Sequence, residues 1–388
     1  MPQEPVPSAL TRAKAAARAA VDAAADELVE LSRSLHARPE TAWQEHHAAA
    51  TVPEPLERRG FTVTPNYLGL ATAFLATYGS GPTRIALCAE YDALPGLGHA
   101  CGHNLIAASS VGAALGLAEV ADDLGLTVEV YGTPAEEGGG GKIELLDRGA
   151  FGGVDLAMMV HPAPVDVAEA RPFAVSHSRI TYRGRSAHAA AYPEEGVNAA
   201  DAFTVAQVAI GLLRQHLPPS SRVHGIVTSA GSAPNAIPDS SSGRWYVRAE
   251  TLAELAEIEP NVMRCFEAGA LATGCTLEIE AESKPYAEFR TDTRTLERYR
   301  ANALELGREF APAGLAGRMN RASTDMGNVS QVVPAIHPYI GVGSLPATNH
   351  QREFADHCVG PTAERALLDG AIALAWTGCD RGADGGLR

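Results

Sequence analysis

Residues 84–131 read RIALCAEYDALPGLGHACGHNLIAASSVGAALGLAEVADDLGLTVEVY. The opening RIALC is a short apolar run of the kind a sheet buries, and LTVEVY at 126–131 is another. Between them lie a glycine-containing loop at 89–103 and an Ala-rich segment at 105–121 that predicts a helix. Further on come a loop at 132–141, a short helix near 142–148 and the apolar run DLAMMV at 155–160. Strand, helix, strand, helix, strand predicts an α/β domain with a mostly parallel sheet.

Upstream, Val21, Ala24, Leu28, Leu31 and Leu35 make one apolar stripe, which predicts a helix that Pro39 ends. Downstream of about residue 171 the pattern changes. Strands are predicted at 174–182, 223–229, 243–250 and 276–282, with helices at 197–213 and 252–272. In the first of these helices Phe203, Ala206, Ile210 and Leu213 share a face. The order β-α-β-β-α-β is ferredoxin-like. It predicts an inserted domain at 171–287 within a sheet domain formed by 1–170 and 288–388. The sheet domain resumes with a helix near 294–310, a strand near 336–342 and a closing helix at 363–376.

Composition narrows the function. Of the 388 residues 46% are hydrophobic but only 6% aromatic, and 70 are Ala, so the core is built from small pieces. The net charge is 31 − 46 = −15. So acidic a chain argues against nucleic acid, whose phosphates are neutralised by Lys and Arg, and against an anionic membrane surface. An anionic substrate would need a local cation to receive it. The start, MPQEPVPSALTRAKAAARAA, has no apolar h-region, and the 105–121 segment contains Ser109, Ser110 and Glu119. Neither a signal peptide nor a membrane span is expected, and a cytoplasmic location is. Six Cys with no repeated spacing do not make a disulfide framework; five are expected as buried thiols, Cys101 being set apart.

Four segments carry metal-type ligands, three of them just after a predicted strand. GHACGHN holds Cys101 and His103, PAEEGGGGK holds Glu136 and Glu137, His161 follows the third strand, and His350 ends TNH. In open α/β sheets the strand ends bring distant loops together, and a thiolate, imidazoles and a carboxylate suit zinc or a similar ion. Adjacent carboxylates on an irregular loop can divide the labour, one on metal and one moving a proton. Taken singly, Cys101 reads as a buried thiol, His103 as a satisfied histidine and the Glu pair as a solvated loop. GGGGK is no phosphate loop, since Ile143 follows the Lys and two carboxylates precede the glycines.

EYDALPGLGHACGHN (90–104), PAEEGGGGK (134–142), GRSAHAAAYPEEGVNAADA (184–202) and STDMGNVSQVVPAIHP (323–338) resemble the aminoacylase/carboxypeptidase G-like dinuclear metallopeptidases. The amidohydrolase branch, with p-aminobenzoyl-glutamate hydrolase subunits and dipeptidases acting on basic C-terminal residues, matches best. The resemblance implies two divalent ions (Zn, Mn or Co). Cys101 would bridge them, with His103, Glu137, His161 and His350 as the other ligands and Glu136 as general base. It implies that the inserted domain is a lid through which a homodimer forms, and that His188 reaches a neighbouring site to hold the oxyanion. Asn235 and Arg248 match substrate-contacting positions, Arg248 suiting a carboxylate. Asp92 either orients a ligand histidine or caps the loop. Asn104, where many relatives have Asp, and QREFADHCVG after His350 depart from the common pattern and bear on the pocket.

The function expected is metal-dependent hydrolysis of the amide of an N-acyl amino acid or dipeptide. Two rivals stand beside it. A thiol hydrolase on Cys101 and His103 would survive chelation and die on alkylation. A subunit or binding module that needs a partner chain would be inactive alone.

Overall fold

The computed structural model describes residues 8–311 and 322–385. It divides into two compact units, Met1–Arg171 with Phe289–Arg388, and Pro172–Glu288.

In the first unit the strands are β1 (Thr62–Pro65), β2 (Phe74–Gly79), β3 (Thr83–Glu90), β4 (Leu126–Thr133), β5 (Leu156–Met158) and β6 (His161–Ala163). The second unit holds β7 (Ala174–Arg183), β8 (Arg222–Ser229), β9 (Ser240–Ala249) and β10 (Thr276–Ala281). The chain then returns to the first unit for β11 (Ala335–Ile336) and β12 (Tyr339–Gly341).

The large sheet runs β1-β2-β4-β3-β5-β11. The ladders β4–β3, β3–β5 and β5–β11 are parallel, whereas β1–β2 and β2–β4 are antiparallel. Alternate residues of β3 face opposite ways, as the pleat requires. Ile85 and Leu87 join one buried cluster with Val111 and Leu367, while Ala86 and Cys88 join another with Phe151 and Met326. Both faces of the sheet are therefore covered, which explains runs such as RIALC with no polar alternation. The helix His103–Ala118 is buried from His103 through Leu117. A Cβ on its Gly112 would press on Leu28 and Ala371, and one on Gly116 on Ala17 and Ala375. The abundance of Ala is thus what lets helices pack closely against this central one.

Three elements differ from the sequence expectation. The stripe Val21–Leu35 spans two helices, Ala9–Ala23 and Ala25–Ala37, because Ala24 leaves helical geometry (φ −95°, ψ 0°) while staying buried. The antiparallel edge formed by β1 and β2 has no counterpart in the expected pattern. The strand expected at 336–342 is broken between β11 and β12. Pro338 has no N–H to give, and its carbonyl accepts from His161 N–H, so the chain changes partner from β5 to β6.

In the second unit the order is strand, helix Ala199–Leu213, two strands, helix Leu252–Thr273, strand. The sheet runs β10-β7-β9-β8 with every ladder antiparallel. Both helices cover one face, where Ile180, Tyr182, Trp245 and Val247 meet Phe203, Ile210, Val262 and Phe266. Among the described residues no helix is long and apolar enough to cross a membrane. All six Cys are free and buried.

Candidate metal centre

β4, β3 and β5 are neighbours in parallel, so their carboxyl ends open on one side of the sheet. The loop after β3 carries Asp92 and Cys101, His103 opens the helix that follows it, the turn after β4 carries Glu136 and Glu137, and His161 opens β6 just past β5. His350 lies in the loop that follows β12. Two non-glycine residues here sit in the left-handed region, Ala135 at φ 56° and His350 at φ 69°. Ala135 is held there by its carbonyl, which accepts from Gly139 and Gly140 N–H, and by its N–H, which donates to Glu45 Oε1 at 2.9 Å. His350 N–H donates to Ala100 O at 2.8 Å, tying it to the Cys101 loop. Such strain persists only where the surroundings enforce it, and it concentrates at functional sites. The glycines after Glu137 serve the turn itself: a Cβ at Gly141 would collide with the Pro134 carbonyl, and Gly140 has φ 67°.

The expected ligands come together as two triples, Cys101–His103–His161 and Cys101–Glu137–His350, with the Cys101 thiol common to both. Cys101 Sγ lies 3.5 Å from His161 Nε2, and His350 Nε2 lies 3.4 Å from Glu137 Oε1. Two ligand atoms about 2.1 Å from one tetrahedral ion stand about 3.4 Å apart, so these spacings would fit ligands around an ion. His103 Nε2 and Glu137 Oε1 are buried without a hydrogen-bond partner. Buried polar atoms are rarely left so, and an ion is one thing that satisfies them. Asp92 joins two of these segments. Its Oδ1 is 3.1 Å from His103 Nδ1, which turns Nε2 toward the cluster, and its Oδ2 accepts Glu137 N–H at 2.9 Å.

The charges are arranged to match. Burial and the Glu137 carboxylate push the Cys101 thiol up, but His161, His350 and His103 outweigh them and bring it down to about 5. The adjacent carboxyls are driven apart. Burial, Glu90, Glu137 and Asp325 hold Glu136 well above the carboxylate range, whereas His350 and His103 overcome burial and hold Glu137 down at about 2. Neighbouring carboxyls of opposite proton affinity are suited to opposite tasks.

A second buried feature escapes a reading of the sequence. Lys142, fully buried, places Nζ 2.6 Å from both Glu90 Oε1 and Asp325 Oδ1, and its N–H donates to Asp325 Oδ2 at 2.9 Å. Burial pushes the ammonium down, but Asp325 and Glu90 outweigh it, so Lys142 stays charged. Glu90 Oε2, on the far side, is 3.5 Å from His103 Nε2. The Lys thus fastens the helix Gly141–Asp147 to the floor of the ligand cluster. His337 is also buried there, its ring 5.4 Å from that of His161. The GGGGK run drew attention to Lys142 for the wrong chemistry, and nothing local to one sequence signals burial.

Asn104 is turned into the packing: its Nδ2 donates to Ser32 Oγ and to Cys358 O, 2.8 and 2.9 Å away. In the second unit His188 is exposed, with Nδ1 accepting from Ala190 and Ala191 N–H at 3.3 and 3.2 Å. Asn235 belongs to the facing segment, where its carbonyl accepts Ala189 N–H at 3.0 Å. Arg248 lies on β9, its Nε–H donating to His224 Nε2 at 3.1 Å.

The chain is similar to known proteins over most of its length. The chain is 41% identical over 386 residues to the Xaa-Arg dipeptidase of Mus musculus, covering 96% of this chain and 89% of that protein. It is 32% identical over 280 residues to a p-aminobenzoyl-glutamate hydrolase subunit of Escherichia coli, covering 67% of this chain and 58% of that one. A dinuclear metal binding peptidase of Bacillus subtilis shares the fold, with a TM-score of 0.66 at 22% identity over 92% of this chain and 98% of that chain. The family described as Peptidase family M20/M25/M40 matches residues 86–370, and the chain, a hydrolase, belongs to it.

Proposed function

We propose that this protein hydrolyses the amide bond of an N-acyl amino acid or dipeptide using two divalent ions, Zn, Mn or Co. The observation that carries this reading is the pair of ligand triples sharing Cys101, which supports Cys101 as the bridge and His103, Glu137, His161 and His350 as the remaining ligands. When bound, such ions polarise a carbonyl and make water acidic near neutral pH.

The chain's own residues do the rest. Glu136, as its carboxylate, takes the proton of the attacking water, and the acid so formed, which its surroundings favour, passes that proton to the leaving amine nitrogen. Asp92 keeps His103 and the Glu137 backbone in register. The second unit, ferredoxin-like in its strand order, acts as the lid and the dimer contact, and His188 of a second copy steadies the oxyanion. Asn235 and Arg248 hold the substrate, Arg248 receiving the carboxylate of the amino-acid half. The six buried thiols suit a reducing, cytoplasmic setting. The charge of −15 would draw in a cationic dipeptide and make a receiver such as Arg248 necessary for any carboxylate.

A panel of N-acyl amino acids and dipeptides, basic C-terminal residues included, tests the reading when metal is supplied and released amine is measured. Chelation should abolish turnover, and Zn, Mn or Co should restore it. The lowered Cys101 thiol, 3.5 Å from His161, is the one observation that favours a thiol hydrolase. Activity that survives chelation and is lost on alkylation would establish that reading instead.

A further inference from the structure

Arg248 is near the end of β9, beside Val175 of β7 and Arg222 of β8. Two residues back, Tyr246 lies between His177 of β7 and His224 of β8. Residues i and i+2 of a strand share a face, so Arg248 stands on the same face as a row of three rings. The opposite face carries Trp245 and Val247 into the core. The row is packed edge to face, with the Tyr246 ring 4.3 Å from that of His177 and 5.7 Å from that of His224. It is anchored at one end by His177 Nδ1, 2.9 Å from Ser283 Oγ. At the other end Arg248 Nε–H donates to His224 Nε2 at 3.1 Å. That bond requires a neutral imidazole with its lone pair on Nε2. Partial desolvation of the ring, together with the charges of Arg248 and Arg214, pushes His224 down and favours its neutral form.

We propose that His224 is a positioning residue for Arg248, its imidazole accepting the Nε–H and fixing the guanidinium plane for the carboxylate of the substrate's amino-acid half. The proposal rests on Arg248 being the receiver of that carboxylate. A guanidinium recognises a carboxylate through a planar fork, so the orientation of the plane decides how well the two match. Without His224 the Arg248 Nε–H loses its acceptor, and the guanidinium plane is less firmly set when substrate binds. The effect therefore falls on substrate binding and spares the chemical step.

Kinetics of the metal-loaded protein on an N-acyl amino acid test this. His224→Ala is expected to raise KM about tenfold and leave kcat within about twofold. His224→Gln, whose amide oxygen can accept the same bond, is expected to return KM to within about threefold of the parent. In an Arg248→Ala background, His224→Ala is expected to change KM by less than about twofold, since the two residues act through one contact. An unchanged KM in His224→Ala, or an equal penalty in the Arg248→Ala background, overturns the proposal. If Arg248→Ala itself leaves KM unchanged, the carboxylate reading falls and takes this proposal with it. If Arg248→Ala raises KM and His224→Ala does not, only the role of His224 falls. The Arg248 Nε–H resonance gives a readout that needs no turnover. It should be protected from solvent exchange in the parent and in His224→Gln, and lose that protection in His224→Ala; equal protection in all three overturns the proposal.

Discussion

Most candidate residues of the first unit are enclosed and most of those of the second are open, His350 being an exposed member of the first. In the first, Cys101, His103 and His161 are almost wholly enclosed, and enclosed polar atoms such as His103 Nε2 and Glu137 Oε1 have no hydrogen-bond partner. In the second, His188, Asn235 and His224 are exposed and stand on a sheet face and its loops. Buried polar atoms without a hydrogen bond are costly even among neighbouring charges, so the first arrangement suits an ion. Exposed groups cost little and can wait for a substrate. On the proposed function, the difference separates ligands of resident ions from groups that meet the substrate only during turnover.

Substitutions can break or sharpen that contrast. The largest effect is expected from Glu136→Gln, which should lower kcat by ~10²–10⁴ while metal content, read by elemental analysis, stays at the parent level. A parallel loss of metal would show that Glu136 is a ligand and not the proton carrier. Next is Lys142→Met, which strands Glu90 and Asp325 in the interior. Removing one partner of a buried ion pair costs about 3–5 kcal/mol, so denaturant unfolding should show a loss of that order. Replacing Glu90 and Asp325 by their amides in the same background should recover much of it. A smaller effect belongs to the second unit. Arg248→Ala should raise KM for a carboxylate-bearing substrate by about 10–100-fold with little change in kcat and none in metal content, because a charge-assisted hydrogen bond is worth about 1.5–3 kcal/mol. Loss of metal in that variant would erase the division between the units.

What a single sequence discloses follows from how local each signal is. RIALC, LTVEVY and the Ala-rich run between them declare their elements within a few residues, and the β-α-β-β-α-β order of 174–281 is equally local. The convergence of Cys101, Glu137 and His161 follows once their strands are placed side by side in parallel, because strand ends then share one rim. The fold is less legible where one residue decides the outcome. Ala24 breaks a helix without any helix-breaking side chain, and Pro338 moves a strand from one partner to another. Least legible is the Lys142–Glu90–Asp325 contact, which joins positions 52 and 183 residues apart and exists only because three segments are buried together. His224 is hidden for a related reason, since its partner Arg248 is a neighbour across a ladder and not along the chain.

The central claim is that two ions sit in one ligand cluster that shares the Cys101 thiolate. Metal titration of the purified, chelator-treated protein, with released amine followed in the same samples, tests it most directly. The account predicts no activity without metal, saturation at two ions per chain, and activity that rises with their binding. Turnover that persists in the chelated protein, or saturation at a single ion with full activity, would contradict it.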